Sequence, residues 1–189
     1  SSKLNKGAAP VAPSPIPCAG KEVPRELRID EIETIVEEFA NAALRAKIAG
    51  FDGVELHGAH GYLIAQFLSP LSNKRTDPYG GSLENRTRFA REIISRIKEK
   101  TGKDYPVLMK LSIDEYLPGG LTVEDSKIIA KQLQDAGLNG ITASAGHTGA
   151  AADAYARSLP GAYSPRGCYA HLAEAIKKVV PIPVGAVGR

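Results

Sequence analysis

Cysteine is scarce in this sequence, and long apolar runs are absent. The two cysteines, Cys18 and Cys168, lie far apart, which excludes a disulfide framework, a CxxC redox pair and a self-contained iron–sulfur or zinc–thiolate site. No stretch approaches the roughly 18 apolar residues of a membrane span, and we find no signal peptide at the start. We therefore expect a cytoplasmic protein with no membrane partner.

An excess of charge of one sign is also lacking. The formal net charge of the 189 residues is only +3, and basic residues are interspersed with acidic ones. No basic face for nucleic acid is therefore predicted. A hydrophobic content of 43% and a charged content of 24% are ordinary for a soluble domain, and the length allows one core rather than two.

The two ends of the chain indicate a part of a larger fold. Four prolines between residues 10 and 17 predict an extended connecting segment over residues 1–24. Residues 181–189 have the pattern of a buried strand that stops where a loop should follow. We therefore expect residues 1–189 to form one partial domain.

Four helix–strand units follow one another along the chain, each with apolar residues at helical spacing before a short buried run. This alternation predicts a parallel sheet. Because no GxGxxG turn follows the first strand, a (β/α)8 TIM barrel is favoured over a doubly wound sheet, and four units make about half of this α/β barrel. Asp30 and Thr122 are predicted to cap the first and third helices, and Ile128 to face the core. The predicted helices lie at 31–49, between Ser82 and Gly102, between Thr122 and Gly137, and at 169–180; the predicted strands are 51–57, 106–112, 141–146 and 182–187.

The densest polar cluster falls at the carboxyl end of the first predicted strand, which in a barrel is the catalytic rim. It consists of Glu55, His57, His60 and Tyr62. Alternation along the strand directs Glu55 and His57 into the barrel. Two imidazoles and a phenol at one place can polarise a carbonyl and deliver a proton.

The residues alone leave three interpretations of this cluster open. In the first, His57 and His60 hydrogen-bond a substrate oxygen while Tyr62 acts as the acid. In the second, His57, His60 and Glu55 bind a metal ion in a barrel hydrolase or lyase, although an HxxH pair without a firmly placed third ligand is a weak zinc signal. In the third, these side chains are satisfied structural residues of the rim.

One long run, from His57 to Arg86, reads HGAHGYLIAQFLSPLSNKRTDPYGGSLENR. It resembles the signature of the Old Yellow Enzyme family, in particular its NADH:flavin oxidoreductase and 2,4-dienoyl-CoA reductase branch. Three shorter motifs fit the same family: 24–27, 119–122 and 164–167, the last being similar to the dienoyl-CoA reductase branch. The resemblance covers nearly the whole chain. It implies that the chain corresponds to the part of the family's barrel from just after strand 3 to the end of strand 7.

The resemblance implies FMN as cofactor and NADH or NADPH as co-substrate. His57 and His60 match the pair that holds the oxygen of the electron-withdrawing group over the flavin, and Tyr62 matches the proton donor. Lys110 stands where the family usually has an arginine beside the flavin, so the charge is kept and the bidentate fork is lost. A buried ion pair between Lys110 and Glu55 is the structural alternative.

Further residues acquire expected roles from the same resemblance. Gly188 and Arg189 match the first half of the family's phosphate-binding rim. His147, at the end of the third strand, is expected to meet substrate or the outer edge of the flavin, with a solvated loop position as the alternative. Arg75 and Arg86 are expected to fold the long loop after the first strand.

The sequence therefore predicts an oxidoreductase that passes hydride from NAD(P)H through FMN to the activated C=C bond of a small-molecule alkene, an enone or an enoyl thioester. The rival functions are the metal-dependent barrel enzyme and an inactive fragment that binds no cofactor. Since only half of a barrel is expected, we predict that this segment alone is inactive. Its unpaired strand edges would favour a homo-oligomer.

Overall fold

The computed structural model describes residues 7–17, 22–147, 160–161 and 164–188. No helix within these ranges is both long and apolar enough to cross a membrane. The elements in chain order are β1 (Val11–Ala12), β2 (Arg25–Glu26), α1 (Ile29–Ile48), β3 (Val54–Gly58), α2 (Leu63–Leu68), α3 (Leu83–Thr101), β4 (Val107–Ser112), α4 (Val123–Asp135), β5 (Gly140–Ser144), α5 (Ala170–Lys177) and β6 (Val184–Ala186).

The strands β3, β4, β5 and β6 form one sheet in that order, and every neighbouring pair is parallel. His57 on β3 is the register partner of Lys110 on β4, and Lys110 is in turn the partner of Thr142 on β5. Adjacent parallel strands in chain order are the arrangement predicted from the helix–strand units. Because the strands are parallel, their carboxyl ends and the loops that follow lie at one rim.

Apolar stripes explain how the helices cover the sheet. The predicted core face of α3, from Phe89 to Ile97, is buried at 0–1% exposure and packs with the outward residues of β4. The caps of α3 and α4 also follow the sequence, since Ser82 Oγ accepts from the Asn85 backbone N–H and Thr122 Oγ1 accepts from that of Asp125. These two starts were therefore confirmed.

Two details of the helices differ from the prediction. The first helix begins at Ile29 after Arg28, and Glu31 accepts a hydrogen bond from the Arg28 backbone N–H at 2.8 Å. The capping role predicted for Asp30 is wrong because Asp30 lies inside the helix, where its carboxylate pairs with the Arg28 side chain. Ile128 is 49% exposed, so its predicted core position is wrong as well.

The boundaries of the strands are shorter than the apolar runs suggested. The β3 strand starts at Val54, and Phe51, predicted as its first residue, is 66% exposed in the connection after α1. The strand β5 ends at Ser144, two residues before its predicted end, and β6 is shorter than predicted by two residues at its start and one at its end. The short helix α2 was not predicted, since six residues are too few to reveal a helical period.

A buried cation joins the amino-terminal segment to the loop between α2 and α3. The side chain of Arg75 is 3% exposed and donates to the carbonyl oxygens of Pro13 at 2.9 Å and Leu27 at 2.7 Å. Its charge is balanced by Asp77 at 2.5 Å. Ser14 Oγ accepts from the Lys74 backbone N–H at 2.9 Å. The expected structural role of Arg75 is consistent with these contacts, which hold β1 beside β2.

We expect Arg75→Ala to lower the free energy of unfolding by about 2–5 kcal/mol, because it leaves two buried carbonyls and the partly exposed Asp77 carboxylate without this donor. The matched control is Arg96→Ala. Arg96 pairs with Glu37 and Glu99 at an exposed position, where solvent screens an ion pair and its loss changes stability little. Urea unfolding monitored by circular dichroism measures both changes. Equal costs for the two substitutions would contradict the structural role of Arg75.

Candidate active site

The inner face of the sheet carries its polar side chains in layers. Along β3, Leu56 is buried against the helices, whereas Glu55 and His57 are exposed on the opposite face. The register places His57, Lys110 and Thr142 in one layer of that inner face. The alternation predicted for Glu55 and His57 is thus the arrangement observed.

Two serines, which we call the serine clamp, lie one layer closer to the rim than Lys110 and Thr142. Ser112 ends β4, and its Oγ accepts from the His60 backbone N–H at 3.0 Å and donates to the Gly146 carbonyl at 2.9 Å. Ser144 ends β5, and its Oγ hydrogen-bonds His60 Nε2 at 2.7 Å. The serine clamp therefore fixes both the backbone and the ring of His60.

His60 has a left-handed backbone, with φ of 60°. A side chain other than glycine rarely adopts this conformation, and it persists only where surrounding contacts hold it. The serine clamp supplies such contacts, and His60 also forms a parallel bridge with His147. Sharp turning at His60 and Gly61 brings Tyr62 back over the end of β3.

The rings of three predicted site residues meet at the end of β3. The His57 and Tyr62 ring centroids are 4.9 Å apart, and those of His57 and His60 are 5.3 Å apart. Tyr62 precedes α2 and is 58% exposed, so its phenol is accessible from the open face. This grouping joins an accessible phenol to two imidazoles within one turn of chain.

Both imidazoles favour the neutral form. Burial lowers the pKa of His60 to about 4, and the nearby His57 and Lys110 act in the same direction. Partial burial, followed by the charge of Lys110, also lowers the pKa of His57, and Glu55 opposes the shift. Near pH 7 each ring is therefore a neutral hydrogen-bond donor and acceptor rather than a cation.

The structure does not join Lys110 to Glu55. Among the described residues no ion pair connects them, and Glu55 Oε1 instead accepts a hydrogen bond from Thr142 Oγ1 at 2.5 Å. Within the same part of the chain, no three His, Cys, Asp or Glu side chains gather closely enough to hold a metal ion. His57, His60 and Glu55 thus lack the arrangement that the metal-dependent alternative requires.

Of the remaining predicted residues, His147 and Gly188 lie within the described part of the chain. His147 is 8% exposed, so it is a buried rim residue and not a solvated loop residue. Gly188 follows β6 with φ of 138°, and a Cβ there would lie 3.1 Å from the Tyr169 ring. Arg189 lies outside the described residues.

Several residues of the rim escaped the sequence analysis. Ser112, Thr142 and Ser144 stand at alternate positions of strand ends, and this polar alternation inside apolar runs was the available signal for inward-facing residues. Glu115, buried at 1% exposure, gave no such signal because it follows β4 in a loop.

With this geometry in view, the chain can be compared with known proteins. The model of the NADH:flavin oxidoreductase / NADH oxidase family matches residues 3–189. A similar curated protein is the NADH oxidase of Thermoanaerobacter brockii, 52% identical over 191 residues, an alignment that covers 98% of this chain and 28% of that protein. The chain belongs to the NADH:flavin oxidoreductase / NADH oxidase family.

Solved structures agree on the fold. A 2-naphthoyl-CoA reductase in complex with 2-naphthoyl-CoA matches with a TM-score of 0.86 and 35% identity, over 94% of this chain and 27% of that one. An old yellow enzyme homologue from Zymomonas mobilis matches with a TM-score of 0.76 and 29% identity, over 98% and 52% respectively. The chain therefore has the fold of part of an Old Yellow Enzyme-type TIM barrel, and it spans about half or less of the length of these relatives.

The side chains present fit the flavin of this family. Lys110 offers a cation on the inner face, and none of the described carboxylates pairs with it. A cation in this position suits a flavin ring that becomes anionic on reduction. Neutral His57 and the Thr142 hydroxyl add hydrogen-bonding groups in the same layer. The inner face at this rim therefore carries side chains that could hold FMN.

The low pKa of His60 predicts a loss of stability in acid. The folded protein keeps His60 neutral to about pH 4, whereas the unfolded chain protonates it near its ordinary pKa of 6.5. Protons therefore bind the unfolded state first, and stability falls as the pH drops from 6.5 towards 4. We expect His60→Asn to flatten this part of the profile, because asparagine does not titrate there and tolerates the left-handed backbone.

The control is His171→Asn, which replaces an exposed histidine on α5. Unfolding midpoints in urea between pH 4 and 7 give the comparison. An acid-sensitive profile in His60→Asn as steep as that of the natural protein would argue against a neutral His60 in the fold.

Proposed function

We propose that the full protein containing this chain is an NAD(P)H-dependent flavin oxidoreductase that reduces activated carbon–carbon double bonds. The observation that supports this most is the grouping of the Tyr62 and His57 rings, 4.9 Å apart, at the rim beside Lys110. When bound, FMN supplies the hydride transfer that connects the nicotinamide to the alkene. The residues of this chain are proposed to bind and orient the substrate and to protonate it.

His57 and His60 are proposed to hold the oxygen of the electron-withdrawing group. As the double bond accepts hydride, negative charge develops on that oxygen, and a neutral imidazole N–H stabilises it by donating a hydrogen bond. Their lowered pKa values suit this role, because both rings remain neutral near pH 7. The serine clamp keeps the His60 ring in place before substrate arrives, which avoids reorganisation during the reaction.

Tyr62 is proposed as the acid that protonates the α-carbon. Its exposed ring and its position at the start of α2 leave the phenol free to approach a substrate lying over His57. An acid held in the correct place accelerates such a step by about 10²- to 10⁴-fold. A role in packing is not apparent for a tyrosine that is 58% exposed.

The substrate class proposed is a small enone or enoyl thioester. The 2-naphthoyl-CoA reductase that shares this fold is named for a thioester ligand, and Ser164–Gly167 resembles the dienoyl-CoA reductase branch. A carbonyl oxygen conjugated to the alkene is the group that the two neutral histidines can hold. His147 is proposed to contact the substrate or the outer edge of the flavin from the same rim.

The first test is Tyr62→Phe in the full-length enzyme, with the two half-reactions followed separately by stopped-flow absorbance. The substitution removes one hydroxyl and keeps the ring, so packing should barely change. We expect reoxidation by 2-cyclohexenone or crotonyl-CoA to slow by about 10²- to 10⁴-fold. Reduction by NAD(P)H requires no proton at carbon and should stay within a few-fold.

Tyr105→Phe is the matched control, because Tyr105 is a buried tyrosine in the turn before β4, at the opposite end of the sheet from the site. It should leave both half-reactions close to the natural rates. If Tyr62→Phe slows both half-reactions equally, or neither, Tyr62 is not the proton donor.

A second test concerns the cation at Lys110. We expect Lys110→Met to weaken FMN binding by about 10- to 100-fold, since a hydrogen bond to a charged group contributes roughly 1.5–3 kcal/mol. Lys110→Arg should retain most of the affinity, and Lys131→Met, on the exposed side of α4, should retain all of it. Quenching of flavin fluorescence during titration of the full-length apoprotein measures the dissociation constants. Natural affinity in Lys110→Met would remove Lys110 from the flavin site.

A further inference from the structure

Glu115 is a buried carboxyl group that the proposed chemistry does not use. It follows β4, is 1% exposed, and lies behind the rim beneath the loop that precedes α4. Its Oε2 accepts hydrogen bonds from Ser69 Oγ and from the Leu121 backbone N–H, both at 2.8 Å. A Cβ at Gly120 would lie 2.7 Å from the same oxygen, so the loop is closely packed against the carboxyl group.

The second oxygen of Glu115 faces a histidine. Glu115 Oε1 lies 4.0 Å from His147 Nε2. Since Oε2 already accepts two hydrogen bonds, a proton on this carboxyl group belongs on Oε1, on the side of His147. This separation is that of an ion pair and exceeds a hydrogen-bond distance, so the two buried groups interact through their charges.

His147 in turn packs against the turn that carries the site. A Cβ at Gly61 would lie 3.0 Å from His147 Cε1 and 3.1 Å from its Nδ1, so any other residue would displace the ring by a few tenths of an ångström. Gly61 stands between His60 and Tyr62, and His147 also pairs with His60 in a parallel bridge. The position of the His147 ring is therefore coupled to the turn that places both residues.

We infer that the buried pair of Glu115 and His147 carries one proton in total, which we call the shared proton, and that Glu115 is a positioning residue that holds His147 against the Gly61 turn. Either the carboxyl group carries the proton beside a neutral imidazole, or a carboxylate faces an imidazolium. Both forms have zero net charge, which is the least costly state for two groups removed from water. The effect on turnover rests on the proposed function, whereas the shared proton does not.

The electrostatic surroundings agree with this arrangement. Burial raises the pKa of Glu115, and the neighbouring Asp114 adds to the shift while Arg86 on α3 opposes it. Burial lowers the pKa of His147. The titratable or charged groups with a described interaction with the pair are therefore Asp114, Arg86 and, on the adjoining turn, His60.

The shared proton is tested by the pH dependence of stability in the full-length holoenzyme. Between pH 4.5 and 6.5, the ordinary pKa values of the two groups, an unfolded chain carries one proton on His147 and none on Glu115. The folded pair also carries one, so it contributes no pH dependence in this range. In Glu115→Gln the folded His147 is neutral while the unfolded one still binds a proton.

We therefore expect Glu115→Gln to lose stability relative to the natural protein as the pH falls below 6.5, by up to about tenfold per pH unit in the unfolding equilibrium constant. Ser69→Ala is the matched control, since it removes a donor to Oε2 and leaves the pair. Its cost should be the same at every pH from 5 to 6.5. If the loss of stability in Glu115→Gln is as independent of pH as that expected for Ser69→Ala, the shared proton is overturned.

The positioning role is tested by the half-reactions. In Glu115→Gln we expect reoxidation by the alkene to slow by about 10-fold or more, as a displaced proton donor does, with reduction by NAD(P)H nearly unchanged. If the natural enzyme itself is not reoxidised by any alkene, the proposed function fails while the stability result still decides the shared proton. If the natural enzyme is active and Glu115→Gln is reoxidised at the natural rate, the positioning role is overturned.

Discussion

The hydroxyl of Ser112 is the constraint on which the candidate site depends. One oxygen atom accepts from the backbone of His60 and donates to that of Gly146, so it connects the turn after β3 to the chain leaving β5 through the end of β4. Three strand ends are thereby held in one relative position. Ser112 thereby helps to stabilise the left-handed backbone of His60, which leads into Gly61 and Tyr62.

The rim places the neutral imidazole rings of His57 and His60 near the cation of Lys110. Lys110 disfavours a positive charge on His57 and His60, and burial acts in the same direction on these two rings and on His147. A site of this kind donates hydrogen bonds to a developing negative charge without carrying additional protons of its own. The cation remains available for a group of opposite charge, which is consistent with an anionic ring on the inner face of the sheet.

Patterns with a strong period allowed much of the fold to be predicted. The stripe of α3 and the capping box of α4 are local features, so their sequences alone specify them. The start of α1 was misplaced because Asp30 is of a residue type preferred as an N-cap, whereas the observed N-cap is Arg28, whose backbone N–H donates to Glu31. The grouping of His57, His60 and Tyr62 is also local. The contacts of Ser144 and Glu115 with the site are not, since each spans many residues of chain.

The buried Arg75 also affects how the chain can be made. Its guanidinium group donates a hydrogen bond to the carbonyl oxygen of Pro13, which precedes Arg75 by 62 residues. At ribosomal speeds of about 5–20 residues per second, Pro13 is synthesised roughly 3–12 s before its partner. During that interval the proline-rich segment can pair with β2 but lacks its anchor at Arg75. The final position of this segment therefore depends on the loop after α2.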